Sequence, residues 1–250
     1  MKKAVQIIVN NTGGIGAYDD ERKYKEFFTS LEGGAWREDE ILPTMYMPSC
    51  EDVSRHLLQL EIIGVEYLVL VFSGHGGLAQ DGRNTVLCLA GEGECKDYNI
   101  KDSMLISRTH RRLVILDCCR AREEKHPSLL LEGAELIKAA NCGADLVGAV
   151  RQAYEDAVDA TPSDTAVLYA CGPLVSTTGA DGEGGVFSNK LKDKDYIQRM
   201  VRPSYRGYYT VSDAYQAIKD CPDLYSPQIY PPCAAIANLP WLMNVDFFRK

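Results

Sequence analysis

Apolar positions along the chain fall into two kinds of run. Residues 3–9 (KAVQIIV), 67–71, 113–116 and 165–171 (TAVLYAC) are short, nearly continuous and mostly β-branched or aliphatic, with turn signals around them. Runs of that length and composition predict buried strands. Between them the spacing becomes helical. Tyr24, Phe27, Phe28 and Leu31 stand at i, i+3, i+4 and i+7 behind Asp19 and Asp20 and predict a helix that Gly33 and Gly34 end. Residues 49–60 predict a second helix, with Ser49 as N-cap, acids at 51 and 52, and Val53, Leu57 and Leu60 on one face. Further helices are predicted over 146–158, from Val186 onward, and over 210–219, opening near Ser212. Weaker signals predict a strand over 41–47 broken by Pro43, a short strand over 85–89 within a hairpin excursion, and a short helix over 101–106. Residues 10–16 form a glycine-rich loop, 177–185 a polar one, and the tail is punctuated by Pro222, Pro227, Pro231, Pro232 and Pro240. Strands alternating with helices imply right-handed crossovers and a mostly parallel sheet covered on both faces, an α/β fold.

Two stretches carry chemistry. Phe72-Ser73-Gly74-His75-Gly76-Gly77 and Leu116-Asp117-Cys118-Cys119-Arg120-Ala121 each follow directly on a predicted buried strand. A histidine and a thiol therefore stand just past the carboxyl ends of strands, the edge where open α/β sheets bind ligands. A free cysteine is only a few per cent thiolate at neutral pH; an imidazole in reach holds or shuttles its proton and later protonates a leaving amine. Glycines beside His75 let a backbone approach closely, and the N–H groups of Gly76 and Cys119 are candidates to face a developing oxyanion. Alternation along the strand sets Asp117 and Cys119 on one face and Cys118 on the other, towards the core.

Composition narrows the class. The 250 residues are 46% hydrophobic and 25% charged, enough for a sizeable core in one domain. A net charge of −8 argues against a nucleic-acid partner and favours basic peptides or cations. The nine cysteines form no CxxC pair, and the apolar start at residues 4–9 is too short for a signal peptide. They read as reduced, mostly buried small hydrophobes of a cytoplasmic protein. No run approaches the ~18 apolar residues of a membrane span.

Ser73-Gly74-His75-Gly76 and Asp117-Cys118-Cys119-Arg120 resemble the His and Cys motifs of the caspase-like cysteine peptidases: caspases, metacaspases and paracaspases. The 44-residue separation of His75 from Cys119 fits that family. So do the opening strand and helix, the 165–171 strand with its polar loop and Gly185-Val186-Phe187 restart, and the late helix before Ser226-Pro227-Gln228. The resemblance implies a three-layer αβα sandwich with about six strands in its central sheet. Residues 1–125 would match the large-subunit part and 160–250 the small-subunit part. It also implies an endopeptidase with Cys119, the thiol preceding Arg120, as nucleophile and His75 as its partner. No cofactor is required; calcium activation is left open.

In this family the residue two before the nucleophile lines the S1 pocket. Asp117 there resembles metacaspases and paracaspases, which cleave after Arg or Lys, and not caspases, which carry Gln. A carboxylate suits a guanidinium through charge-assisted bonds and repels an acidic side chain. Asp20 resembles the second acid those relatives use, or it caps the first helix with Asp19. Arg120-Ala121 departs from the metacaspase pattern and Asp117 from the caspase one, so the subgroup stays open. The region from Arg120 to Arg151, with Arg122, sits where relatives are cut, and an activator protein is compatible with that plan. Rival readings are a silent scaffold that acts by binding proteins, a peptidase for acidic P1 with Arg151, Arg202 or Arg206 in its pocket, and a thiol transferase. His75 and Cys119 have no partners at zinc-ligand spacing.

Overall fold

Three of the continuous apolar runs pair side by side in the computed structural model, which describes residues 1–11, 15–79, 85–89, 111–120, 144–180, 182–201, 207–230 and 235–249. β1 (Lys3–Val9), β3 (Tyr67–Ser73) and β6 (Arg111–Asp117) are parallel, with Ile7 opposite Val71 and Val71 opposite Ile115. β2 (Met45–Tyr46) extends the sheet beyond β1, and β7 (Asp164–Tyr169) extends it beyond β6, both in parallel. β11 (Gln228–Tyr230) closes the far edge antiparallel to β7, giving the six-stranded order β11-β7-β6-β3-β1-β2. Pro43 has the predicted effect: the 41–47 run keeps only a bridge at Ile41 and the two residues of β2.

Strand residues alternate between two cores, which is why the runs lack a polar face. Val5, Ile7, Val69, Val71, Leu113, Ile115 and Leu168 pack with α1 (Ala17–Thr29), α3 (Ala144–Asp159), α4 (Val186–Lys192) and α6 (Val211–Ile218). Ile8, Leu68, Leu70, Phe72, Val114 and Leu116 pack on the opposite face with Val53, Leu57 and Leu60 of α2 (Cys50–Ile62). Ser49 caps α2 as expected, accepting from the Asp52 N–H while Asp52 reaches back to the Ser49 backbone. α1 differs from expectation: it opens at Ala17 behind Gly16 with no side-chain cap, so neither Asp19 nor Asp20 is a capping residue. α6 is capped by Thr210, two residues before Ser212.

Sequence patterning does not disclose α5 (Lys194–Met200), nor two antiparallel pairs, β8 (Gly179–Ala180) with β9 (Gly184–Gly185) and β10 (Tyr208–Thr210) with β12 (Pro240–Met243). A short ribbon, β4 (Gly76–Leu78) with β5 (Thr85–Leu87), stands beyond the end of β3. The expected helix over 101–106 lies outside the described residues, as do Arg122 and most of the region from Arg120 to Arg151. Among the described residues no helix is long and apolar enough to cross a membrane.

Candidate active site

Register brings the two chemical stretches together. Ser73 at the end of β3 pairs with Asp117 at the end of β6, and His75 and Cys119 each follow two residues later. Adjacent strands lie about 4.8 Å apart, so thiol and imidazole leave neighbouring strand ends at one edge of the sheet. Both residues are half-exposed, while Ser73, Asp117 and Cys118 are buried.

The loop carrying His75 is fixed by its backbone. Gly74 donates its N–H to the Asp117 carbonyl at 3.1 Å, and a side chain at Gly74 would run into Asn10. The Cys88 N–H donates to the His75 carbonyl at 2.9 Å, and Asn10 Nδ2 donates to the Cys88 carbonyl at 2.8 Å. His75 is thus a bonding position of the β4–β5 ribbon. Alternation in an antiparallel pair then turns the N–H of Gly76 away from β5.

The two adjacent thiols part as the pleat requires. Cys118 is 1% exposed and packs with the α2-side core, and burial pushes its thiol well above the ordinary cysteine value. Cys119 returns to the open side, where its Sγ lies 3.7 Å from the Thr177 carbonyl. The next residue anchors the turn: the Arg120 N–H donates to Val175 and its guanidinium donates to Gln228 Oε1 at 2.7 Å. The reading of the cysteines as reduced is corrected at one position. Cys88 is disulfide-bonded, whereas Cys50, Cys118, Cys119, Cys171 and Cys221 are free.

Asp117 and Asp20 converge on one glycine. Gly185 gives its N–H to Asp20 Oδ1 and Oδ2 at 2.9 and 3.1 Å, and Ser73 Oγ donates to Asp20 Oδ2 at 2.7 Å. Asp117 Oδ2 accepts from the Ser188 N–H at 3.1 Å and the Ser188 hydroxyl at 2.5 Å. The Tyr24 hydroxyl meets Ser188 Oγ at 3.0 Å and backs this bond. Burial raises the carboxyl of Asp117 to about 7, the Asp20 charge adding to the effect; burial likewise raises Asp20. A side chain at Gly185 would enter the space held by both carboxylates. Gly185→Ala is therefore expected to lower the unfolding free energy by roughly 1–3 kcal/mol. An unchanged urea midpoint would show that the acids do not approach the backbone this closely.

Other candidates lie elsewhere. Arg151 pairs with Glu40 at 2.5 Å and with Glu155 at 2.9 Å. Those partners also surround Lys3 at the start of β1, the opposite end of the strands. Arg202 and Arg206 fall outside the described residues. Among the described residues no group of three His, Cys, Asp or Glu side chains is arranged to hold a metal ion. Sequence reasoning missed Ser188 and Lys192, which lie beside the two acids. Their signal was an i, i+4 pair on α4 facing the i, i+4 pair of Asp20 and Tyr24 on α1.

A sequence model described as Caspase domain matches residues 45–194, a span holding both His75 and Cys119. Among solved structures, caspase-1 from Spodoptera frugiperda is similar in fold. The TM-score is 0.53 at 12% identity, over 91% of this chain and 86% of that one. No curated protein matches. The family match covers well over half of the chain, and the six-stranded sheet with helices on both faces agrees with it; the chain belongs to the caspase-domain family of cysteine peptidases.

Proposed function

We propose that the chain is an endopeptidase that uses Cys119 and His75 to cleave after arginine, and also after lysine. The observation that carries this reading is the meeting of two buried carboxylates, Asp20 and Asp117, beside the strand ends bearing the thiol and the imidazole. Cys119 Sγ, as thiolate, adds to the scissile carbonyl. The N–H groups of Gly76 and Cys119 face the oxygen as it gains charge, and His75 gives a proton to the departing amine. Water then hydrolyses the thioester, with His75 taking the water's proton, and the thiol is restored.

The acid pair suits a cationic P1 side chain and repels an acidic one. The engagement of Arg151 with Glu40 and Glu155 speaks against the acidic-P1 alternative through that residue. Residues 1–125 supply His75, Cys119, Asp117 and Asp20. Residues 160–250 supply Gly185 and Ser188, which hold the acids, so both parts build one pocket.

The test is fluorophore release from matched peptides with Arg, Lys, citrulline or Asp at P1, with and without calcium. The reading expects release after Arg, less after Lys and none after Asp. Release only after Asp would overturn the acidic pocket. Silence on every peptide, with Cys119 inert to a peptidyl electrophile, would favour a scaffold that acts by binding proteins.

A further inference from the structure

Lys192 ends α4 in an unusual posture. The residue as a whole is half-buried, yet its ammonium is shut away from solvent with no hydrogen-bond partner among the described residues. A lysine at a surface normally does the reverse, laying its stem on apolar atoms and lifting its charge into water. Here the nitrogen lies 3.5 Å from the centre of the Tyr24 ring, a cation–π placement. Tyr24 also backs the Ser188 hydroxyl that bonds Asp117. Burial pulls this ammonium down to about 7, while the charges of Asp20 of α1 and Asp117 of β6 hold its proton; Lys23 and Glu26 of α1 act on it in opposite senses. A buried ammonium with no bonded partner is costly unless it serves neighbouring charge.

We infer that Lys192 is the counter-ion of the S1 pocket: its ammonium, seated on Tyr24, holds Asp20 and Asp117 ionised together so that the pocket carries one net negative charge and accepts one cationic side chain. This rests on the proposed preference for basic P1 residues and deepens it. Two carboxylates this close and this buried do not both ionise unaided near neutral pH; one keeps a proton. The charge of Lys192 acts against that proton on both acids. Lys192 does not touch the scissile bond. It is a positioning residue that sets the charge of the residues that bind P1.

The sign follows directly. Removing the ammonium raises the pKa of the acid pair, so its second ionisation, and with it affinity for a permanent cation, moves to higher pH. The readout is the ratio of kcat/KM for an Arg peptide to that for its citrulline twin, across pH. Ionisations that affect both peptides equally cancel in the ratio, and kcat/KM reports the free enzyme. In the wild type the ratio is expected to rise as Asp117 ionises near pH 7. In Lys192→Met the rise is expected roughly one pH unit or more higher, which at pH 7 is an approximately tenfold loss of discrimination. Lys192→Arg is expected to restore the wild-type midpoint in part.

An unmoved midpoint in Lys192→Met would overturn the counter-ion role. So would a higher ratio at every pH, which would make Lys192 a competitor for the pocket. A wild-type ratio near one at all pH would instead sink the basic-P1 reading itself. If Lys192→Met does not fold, carbon NMR of the lysine ε-positions in the wild type decides. Burial is expected to place the Lys192 titration below that of the surface lysines, yet above the Asp117 midpoint; loss of the Lys192 proton at or below the pH where Asp117 ionises would overturn the proposal.

Discussion

Cys119→Ala is expected to abolish peptide cleavage, with kcat falling by at least about 10³-fold, because the nucleophile of an acyl-transfer site has no substitute. Cys118→Ala is expected to stay within a few-fold of wild-type turnover. The contrast is informative because the two thiols are neighbours of identical chemistry. Cys118 Sγ lies in the α2-side core beneath Gly76, where a side chain on that glycine would strike it. Its thiol is buried and its ionisation opposed, so it is a poor nucleophile. Its loss removes a packed sulfur and lowers stability by roughly 1 kcal/mol. Fluorophore release and urea denaturation on the two variants check both halves. Full loss in Cys118→Ala with a preserved fold would reverse the assignment of the nucleophile.

Asp117→Asn is expected to erase most of the preference for arginine over citrulline, with kcat/KM for the arginine peptide falling roughly 10²-fold. Asparagine keeps the shape and can still accept from the Ser188 N–H and hydroxyl, so the contacts at 3.1 and 2.5 Å need not break. What disappears is the charge facing the guanidinium, and with it the strength of a charge-assisted bond. The citrulline peptide should change far less, because a neutral ureido group never used that charge. The measurement is the two kcat/KM values above pH 8, where Asp117, raised to about 7, is ionised in the wild type. Equal losses on both peptides would mean that Asp117 supports the architecture of the site and does not read the substrate.

The strand ends that carry the candidate site were legible wherever position alone decides them. Runs 3–9, 67–71 and 113–116 lie in strands buried on both faces, so their composition is mostly apolar and reads as strand. Once they are strands, a histidine and a cysteine two residues past paired ends stand at one edge of the sheet. The opposite sides taken by Cys118 and Cys119 likewise follow from the pleat. The function of Asp20 stayed ambiguous because an acid in a first helical turn looks the same whether it caps or reaches away. Only the fold shows its carboxylate on Gly185, 165 residues on. Lys192 was invisible for a related reason: a lysine ending a helix reads as an ordinary dipole partner until its ammonium is found turned inward. The short strands β10, β11 and β12 draw their hydrogen bonds from distant partners across a tail broken by prolines, and local preference carries little of that information.

The way Gly185 and Ser188 reach back to Asp20 and Asp117 orders events in a chain growing from its N-terminus. Domains assemble as they emerge during synthesis, and a nascent chain that has released about 150 residues already contains both members of the candidate dyad. It still lacks the Gly185 and Ser188 donors that bind the two acids, which span 165 and 71 residues. Contacts of such sequence separation form late, since the intervening loops must close first. The two acids therefore stay without these donors throughout translation of the first three-quarters of the sequence, and the arrangement around them is set only by the last quarter to be made.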